Sequence, residues 1–159
     1  MGVIRIYRGQ LDDAGARAAI LQSLNNGELV MNYLGHASVE VWRGDLLTTA
    51  DAAGLTNGSR LPFLVAMDCL NGLFNDVYTE SLAEALMKAP NGGTVAAWAS
   101  SALNDPEPQA AINEELYRQM FRYGLTVGEA VQKAKAATKN LDVRRTWILF
   151  GDPTLKLRN

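Results

Sequence analysis

His36 and Cys69 are the only histidine and the only cysteine among 159 residues. A thiol beside an imidazole is the smallest side-chain set that supports nucleophilic catalysis: the base helps form the thiolate and later returns a proton to the leaving group. The same two counts exclude other chemistries. A single cysteine allows neither an intramolecular disulfide nor a thiolate zinc cluster, and a single histidine allows no multi-histidine metal site. Carboxylates such as Asp76 and Glu80 are too sparse to define a calcium site. No metal or cofactor is expected.

The elements that would position this pair follow from the hydrophobic pattern. Val3–Tyr7 reads as a short strand. Asp12 and Asp13 open a helix carrying Ala18, Ile20, Leu21 and Leu24, closed at Asn25-Asn26-Gly27. Glu28–Gly35 is nearly continuously apolar, the pattern of a strand buried on both faces. Asp45–Ala53 is a short helix. Pro62 restarts the chain into a second buried strand, Phe63–Met67, and Thr79–Ala89 is an amphipathic helix stopped by Pro90-Asn91-Gly92-Gly93. Thr94–Ala99 is a third core strand. Helices are expected over about Gln109–Tyr123 and Thr126–Asn140. Trp147–Phe150, the turn Gly151-Asp152-Pro153 and an edge strand Thr154–Leu157 close the chain. Strand alternating with helix predicts one α/β domain over residues 1–159, a parallel sheet with helices on both faces.

His36 and Cys69 fall just past the C-terminal ends of consecutive strands, 33 residues apart, about one βαβ unit. Parallel neighbours lie about 4.8 Å apart, and open α/β sheets place their sites at this edge. Taken singly, such a cysteine is a small buried hydrophobe and such a histidine a surface residue. Matched strand ends turn them into a candidate dyad.

The flanking residues add a resemblance. Tyr33-Leu34-Gly35-His36-Ala37-Ser38, with Trp42 a few residues on, is similar to the Gly-His-Gly-Ser histidine motif of the gingipain family of cysteine peptidases. Asp68-Cys69-Leu70-Asn71-Gly72-Leu73-Phe74 resembles that family's nucleophile motif. Pro90–Gly93 through Trp98-Ala99-Ser100-Ser101 is similar to its next strand, and Phe150-Gly151-Asp152-Pro153 to its closing turn. The resemblance implies a caspase-like three-layer α/β sandwich with a mainly parallel sheet, truncated on its N-terminal side relative to the family. It implies a cysteine endopeptidase in which Cys69 attacks a peptide carbonyl through a thioester acyl-enzyme and His36 is the general acid/base. The backbone N–H groups of Ala37 and Cys69 would form the oxyanion hole, with Ser100 and Ser101 flanking the substrate. Ala37 stands where the family has glycine; it keeps the N–H but adds a Cβ. The family's upstream strands and acids have no counterpart before Met1, so basic P1 specificity is not carried over. The chain is read either as a minimal version of the fold or as a fragment whose uncovered sheet edge is met by self-association.

The other expectations concern partners and smaller signals. A net charge of −2 and a pI near 5.4 give no broad basic face for nucleic acid, and no apolar run reaches a membrane span. The expected partner is a peptide or protein substrate. Met1–Gln10 lacks signal-peptide architecture, whereas the resemblance suggests a secreted or cell-surface protein. Asp68 is read either as lining a specificity pocket for a basic side chain or as capping the turn after it. Glu40 is read either as orienting His36 or as a solvated loop acid. Trp42, Trp98 and Trp147 are read as core, and Asn57-Gly58-Ser59 as a glycosylation sequon on an exposed loop. The alternative to an enzyme is a module of the same fold, retaining the pair while serving a structural or interaction role.

Overall fold

The computed structural model describes residues 2–157. One sheet runs in the order β1 (Val30–Leu34), β2 (Phe63–Met67), β3 (Ala96–Ser100), β4 (Trp147–Phe150). The first three strands are parallel and β4 pairs antiparallel with β3. On one face lie α1 (Asp13–Asn26), α2 (Thr49–Ala52) and α3 (Leu82–Met87); on the other lie α4 (Pro106–Tyr117), α5 (Val127–Ala136) and α6 (Leu141–Thr146). This is the caspase-like three-layer α/β arrangement. The unbroken apolar run of β2 is explained by its two faces: Leu64 and Ala66 pack into the first layer, Phe63, Val65 and Met67 into the second. Trp42, Trp98 and Trp147 are all fully buried, as expected.

Local signals set the helix ends. The Asp12 carboxylate accepts the Gly15 N–H at 2.8 Å to start α1, and Gly27 ends it at φ 78°. There an added Cβ would sit 2.3 Å from that of Arg60, so glycine is needed for space as well as for conformation. Ser81 with Glu84, and Thr126 with Glu129, form capping boxes at α3 and α5.

Four expectations are corrected. Val3–Tyr7 is no strand; it runs along the outer side of β1 with Val3, Ile4 and Tyr7 exposed and joins no ladder. Glu28–Gly35 is not buried on both faces: the strand shrinks to Val30–Leu34 and is only half-buried, because it is the sheet's edge and pairs with β2 alone. Thr154–Leu157 is no edge strand. Asp152 accepts the Thr154 N–H at 2.8 Å and folds a turn, and the Pro153 and Leu155 carbonyls accept the first N–H groups of α5 at 2.9 and 2.8 Å. Asn57 is 2% exposed, accepts from the Gly93 N–H and donates to the Arg60 and Gly93 carbonyls, so the sequon holds two loops together and offers no glycan site.

The helix expected over Thr126–Asn140 stops at Ala136, since Asn140 caps the Val143 N–H and begins α6 instead. At the end of α4 the chain passes into a single π-helical turn, Arg118–Arg122. Among the described residues no helix is long and apolar enough to cross a membrane.

Candidate active site

The last register partners of β1 and β2 are Leu34 and Met67. Beyond them the Gly35 N–H still donates to the Met67 carbonyl at 3.3 Å, so the two chains stay together past the strand ends. His36 and Cys69 each come two residues after those last partners. His36 is exposed and Cys69 half-buried. Among the described residues the imidazole makes no hydrogen bond, and the thiol lies 3.7 Å from the Asn104 carbonyl oxygen. The strands thus bring the pair to one level of one sheet edge without closing a direct bond between them.

The loop after Cys69 is tightly built. Leu70 sits at φ 66°, in the left-handed region that a side chain enters at roughly 1–3 kcal/mol. Its strain reverses the chain directly behind the thiol. Gly72 donates to the Ser100 carbonyl at 2.8 Å, and an added Cβ would lie 2.8 Å from the Ala99 oxygen. Only glycine permits that approach. Asn71, fully buried, reaches across to the histidine loop: its amide donates to the Ser38 carbonyl at 2.6 Å and to Val39 at 3.4 Å, while its oxygen accepts the Trp42 Nε1–H at 2.7 Å. The first turn of α3 pins both loops from behind, Leu82 N–H donating to the Val39 carbonyl and Ala83 N–H to that of Asn71.

The histidine loop has its own supports. The His36 carbonyl accepts from the Tyr33 hydroxyl and from the Arg43 N–H, both at 2.9 Å. The Tyr33 ring stacks on Trp42 with centroids 3.9 Å apart and planes 6° from parallel. Burial, and then the nearby Asp68 carboxyl, push the Tyr33 phenol up to about 12, so it remains a hydrogen-bond donor through neutral pH. In this loop the Ala37 N–H is uncommitted among the described residues, as is the Cys69 N–H in the other. A groove of about 730 Å³ runs from His36 along the outer side of β1, lined by Val3–Arg8, Met31, Tyr33 and Arg43 among others.

Peptidase family C25 matches residues 3–158. The chain belongs to this family. It is 33% identical to gingipain R2 and to gingipain R1 of Porphyromonas gingivalis over an alignment of 159 positions that covers 87% of this chain. It spans about a fifth of the former's length (21%) and 15% of the latter's. The crystal structure of the Arg-specific cysteine proteinase gingipain R superposes with a TM-score of 0.82 at 29% identity, covering 89% of this chain and 36% of that one. A structure described only as a protease shares the fold at TM-score 0.74 and 18% identity.

In this C25 chain the remaining expected site residues divide. Ser100 is fully buried, and its hydroxyl is taken by Asn104 Nδ2 at 2.8 Å, the Ala102 N–H at 3.1 Å and the Ala102 carbonyl at 3.0 Å. Its hydroxyl thereby builds the loop after β3. Ser101 is half-buried, with its hydroxyl donating to the Thr146 carbonyl at 3.1 Å. Asp68 is fully buried with neither oxygen hydrogen-bonded, so it caps no turn and does not line the groove. Burial pushes its carboxyl well above the ordinary carboxylate range and outweighs the opposing effect of the neighbouring Trp42 N–H, which is given to Asn71. Glu40 is exposed, as a solvated loop acid is. Asn104, whose carbonyl meets the thiol, carries no signal in sequence: it is one loop residue before Asp105-Pro106.

Proposed function

We propose that this chain carries the catalytic pair of a cysteine endopeptidase, with Cys69 as nucleophile and His36 as general acid/base. The observation that supports it best is the β1–β2 register, which sets both residues two positions beyond paired strand ends. In this reading the Cys69 thiolate adds to a peptide carbonyl carbon. The tetrahedral oxyanion is met by the Ala37 and Cys69 N–H groups. The C–N bond breaks as the His36 imidazolium gives its proton to the departing amine, leaving a thioester. His36 then takes a proton from water, the hydroxide attacks the thioester, and the acid product leaves with the thiolate restored. Ser101, at the next strand's end, would flank the substrate backbone.

A second reading is a non-catalytic module of the same fold. It is favoured by the thiol's contact with Asn104 in place of His36. Iodoacetamide alkylation of Cys69 at pH 6.5 separates the two. An enzyme is expected to label about tenfold or more faster than a free cysteine, to lose that excess in His36→Ala, and to lose peptide hydrolysis in Cys69→Ala. Labelling no faster than free cysteine, indifferent to His36, sinks the catalytic reading and leaves the module.

Two further elements belong to the same proposal. The outer edge of β1 would pair with the equivalent edge of a second copy, since Leu34 is exposed and β1 pairs with β2 alone. Secretion or cell-surface display follows from the family reading and is checked by fractionating the producing cells.

A further inference from the structure

We infer that Asn71 is the positioning residue that holds the His36 loop in register with Cys69. The inference rests on the catalytic reading above and concerns how the pair is aligned. Sheet register alone sets only where the two loops begin. Past the Gly35 N–H bond to the Met67 carbonyl no ladder bond joins the two chains, and the imidazole and thiol make no bond to each other. Their relative placement therefore has to come from contacts between the loops.

Asn71 supplies three of them from one side chain. It stands two residues after Cys69 with the strained Leu70 turn between, so its position is rigidly tied to the nucleophile. Both amide hydrogens are engaged on the histidine loop, at the Ser38 and Val39 carbonyls, and its oxygen holds the Trp42 indole. That indole is the base on which Tyr33 stacks, and the Tyr33 hydroxyl donates to the carbonyl of His36 itself. Asn71 thus reaches His36 from both sides: through Ser38, two residues ahead, and through the Trp42–Tyr33 stack to its own peptide. Gly35 completes the arrangement, because an added Cβ there would stand 2.5 Å from the Tyr33 oxygen. An asparagine suits this place better than other residues of its size. Leucine offers no hydrogen bonds, and aspartate cannot donate to two carbonyls. Full burial leaves water unable to substitute for the lost bonds.

The test uses the full chain and compares wild type, His36→Ala, Asn71→Ala and the near-isosteric Asn71→Asp, each first checked for cooperative melting. The first readout is the rate of Cys69 alkylation at pH 6.5. The second is the split between kcat and KM on a peptide that wild type cleaves. Asn71→Ala is expected to label at the His36→Ala rate and to lose kcat by about 10–100-fold with KM changed less than about threefold, as a misplaced catalytic group does. If Asn71→Ala does not fold, Asn71→Asp carries the test, since it keeps the Trp42 acceptor and loses the Ser38 donor. A folded Asn71 variant that labels at the wild-type rate and still depends on His36 overturns the positioning role while leaving the dyad intact. Wild type labelling no faster than His36→Ala overturns the dyad itself, and the positioning role with it.

Discussion

Asp68 makes the stability of this protein fall with rising pH in a way that one substitution removes. Its carboxyl is fully buried without a hydrogen-bond partner, and burial holds it well above the ordinary carboxylate range. The native state therefore keeps a proton that the unfolded chain releases above about pH 3.9. Wherever the native form binds one proton more, unfolding becomes easier by about 1.4 kcal/mol for each pH unit. The contribution is fully present below the unfolded value and is lost as pH rises through the native one. Asp68→Asn keeps the size and polarity of the protonated side chain but cannot ionise. Its melting temperature should match wild type to within a constant offset below pH 4, then climb relative to wild type by about 3–6 °C per pH unit, given about 2–4 °C per kcal/mol in a chain of this size. The carboxylates held below their usual range, such as Asp13 and Asp152, stabilise both proteins alike as pH rises and cancel in the difference. Thermal melts followed by circular dichroism from pH 3.5 to 8 provide the comparison. Parallel curves over the whole range would show that Asp68 ionises normally in the folded protein, by a water or a donor reaching it, and would refute the argument from burial.

Two other outcomes follow from local geometry. Gly72→Ala puts a Cβ 2.8 Å from the Ala99 oxygen and should destabilise the fold by about 1–3 kcal/mol, read as a lowered denaturation midpoint with an unchanged slope. At the open edge, light scattering should find a dimer that Leu34→Lys returns to monomer, because a charge at an edge strand opposes strand addition; a wild type monomeric at high micromolar concentration excludes the pairing.

Legibility from sequence holds where a local pattern and a local cause coincide. The apolar runs at Phe63–Met67 and Thr94–Ala99, the cap at Asp12 and the stop at Gly27 all describe short-range physics, and each sits within a few residues of its expected place. It fails where a segment's fate depends on what lies beside it. Val3–Tyr7 has a strand's composition but no ladder, Glu28–Gly35 looks doubly buried but has a neighbour on one side only, and Thr154–Leu157 follows a turn and gives its Leu155 carbonyl to the first turn of α5. Asn57 illustrates the same limit, since a sequon is a tripeptide and its burial is decided by Gly93, far along the chain.

The candidate site divides along that line. Sequence by itself determines which chemistry is available: one thiol, one imidazole, no second of either, and strand ends that bring them to one edge. It also carries the motifs by which the chain belongs to its family. What the tertiary structure alone decides is how those two residues are held and which neighbours face them. Asn71 becomes the link between loops, Asp68 loses all contact with water, and Asn104 meets the thiol. None of this is periodic or local. Burial and hydrogen-bond partners are properties of the assembled neighbourhood, fixed by packing between residues more than 30 positions apart.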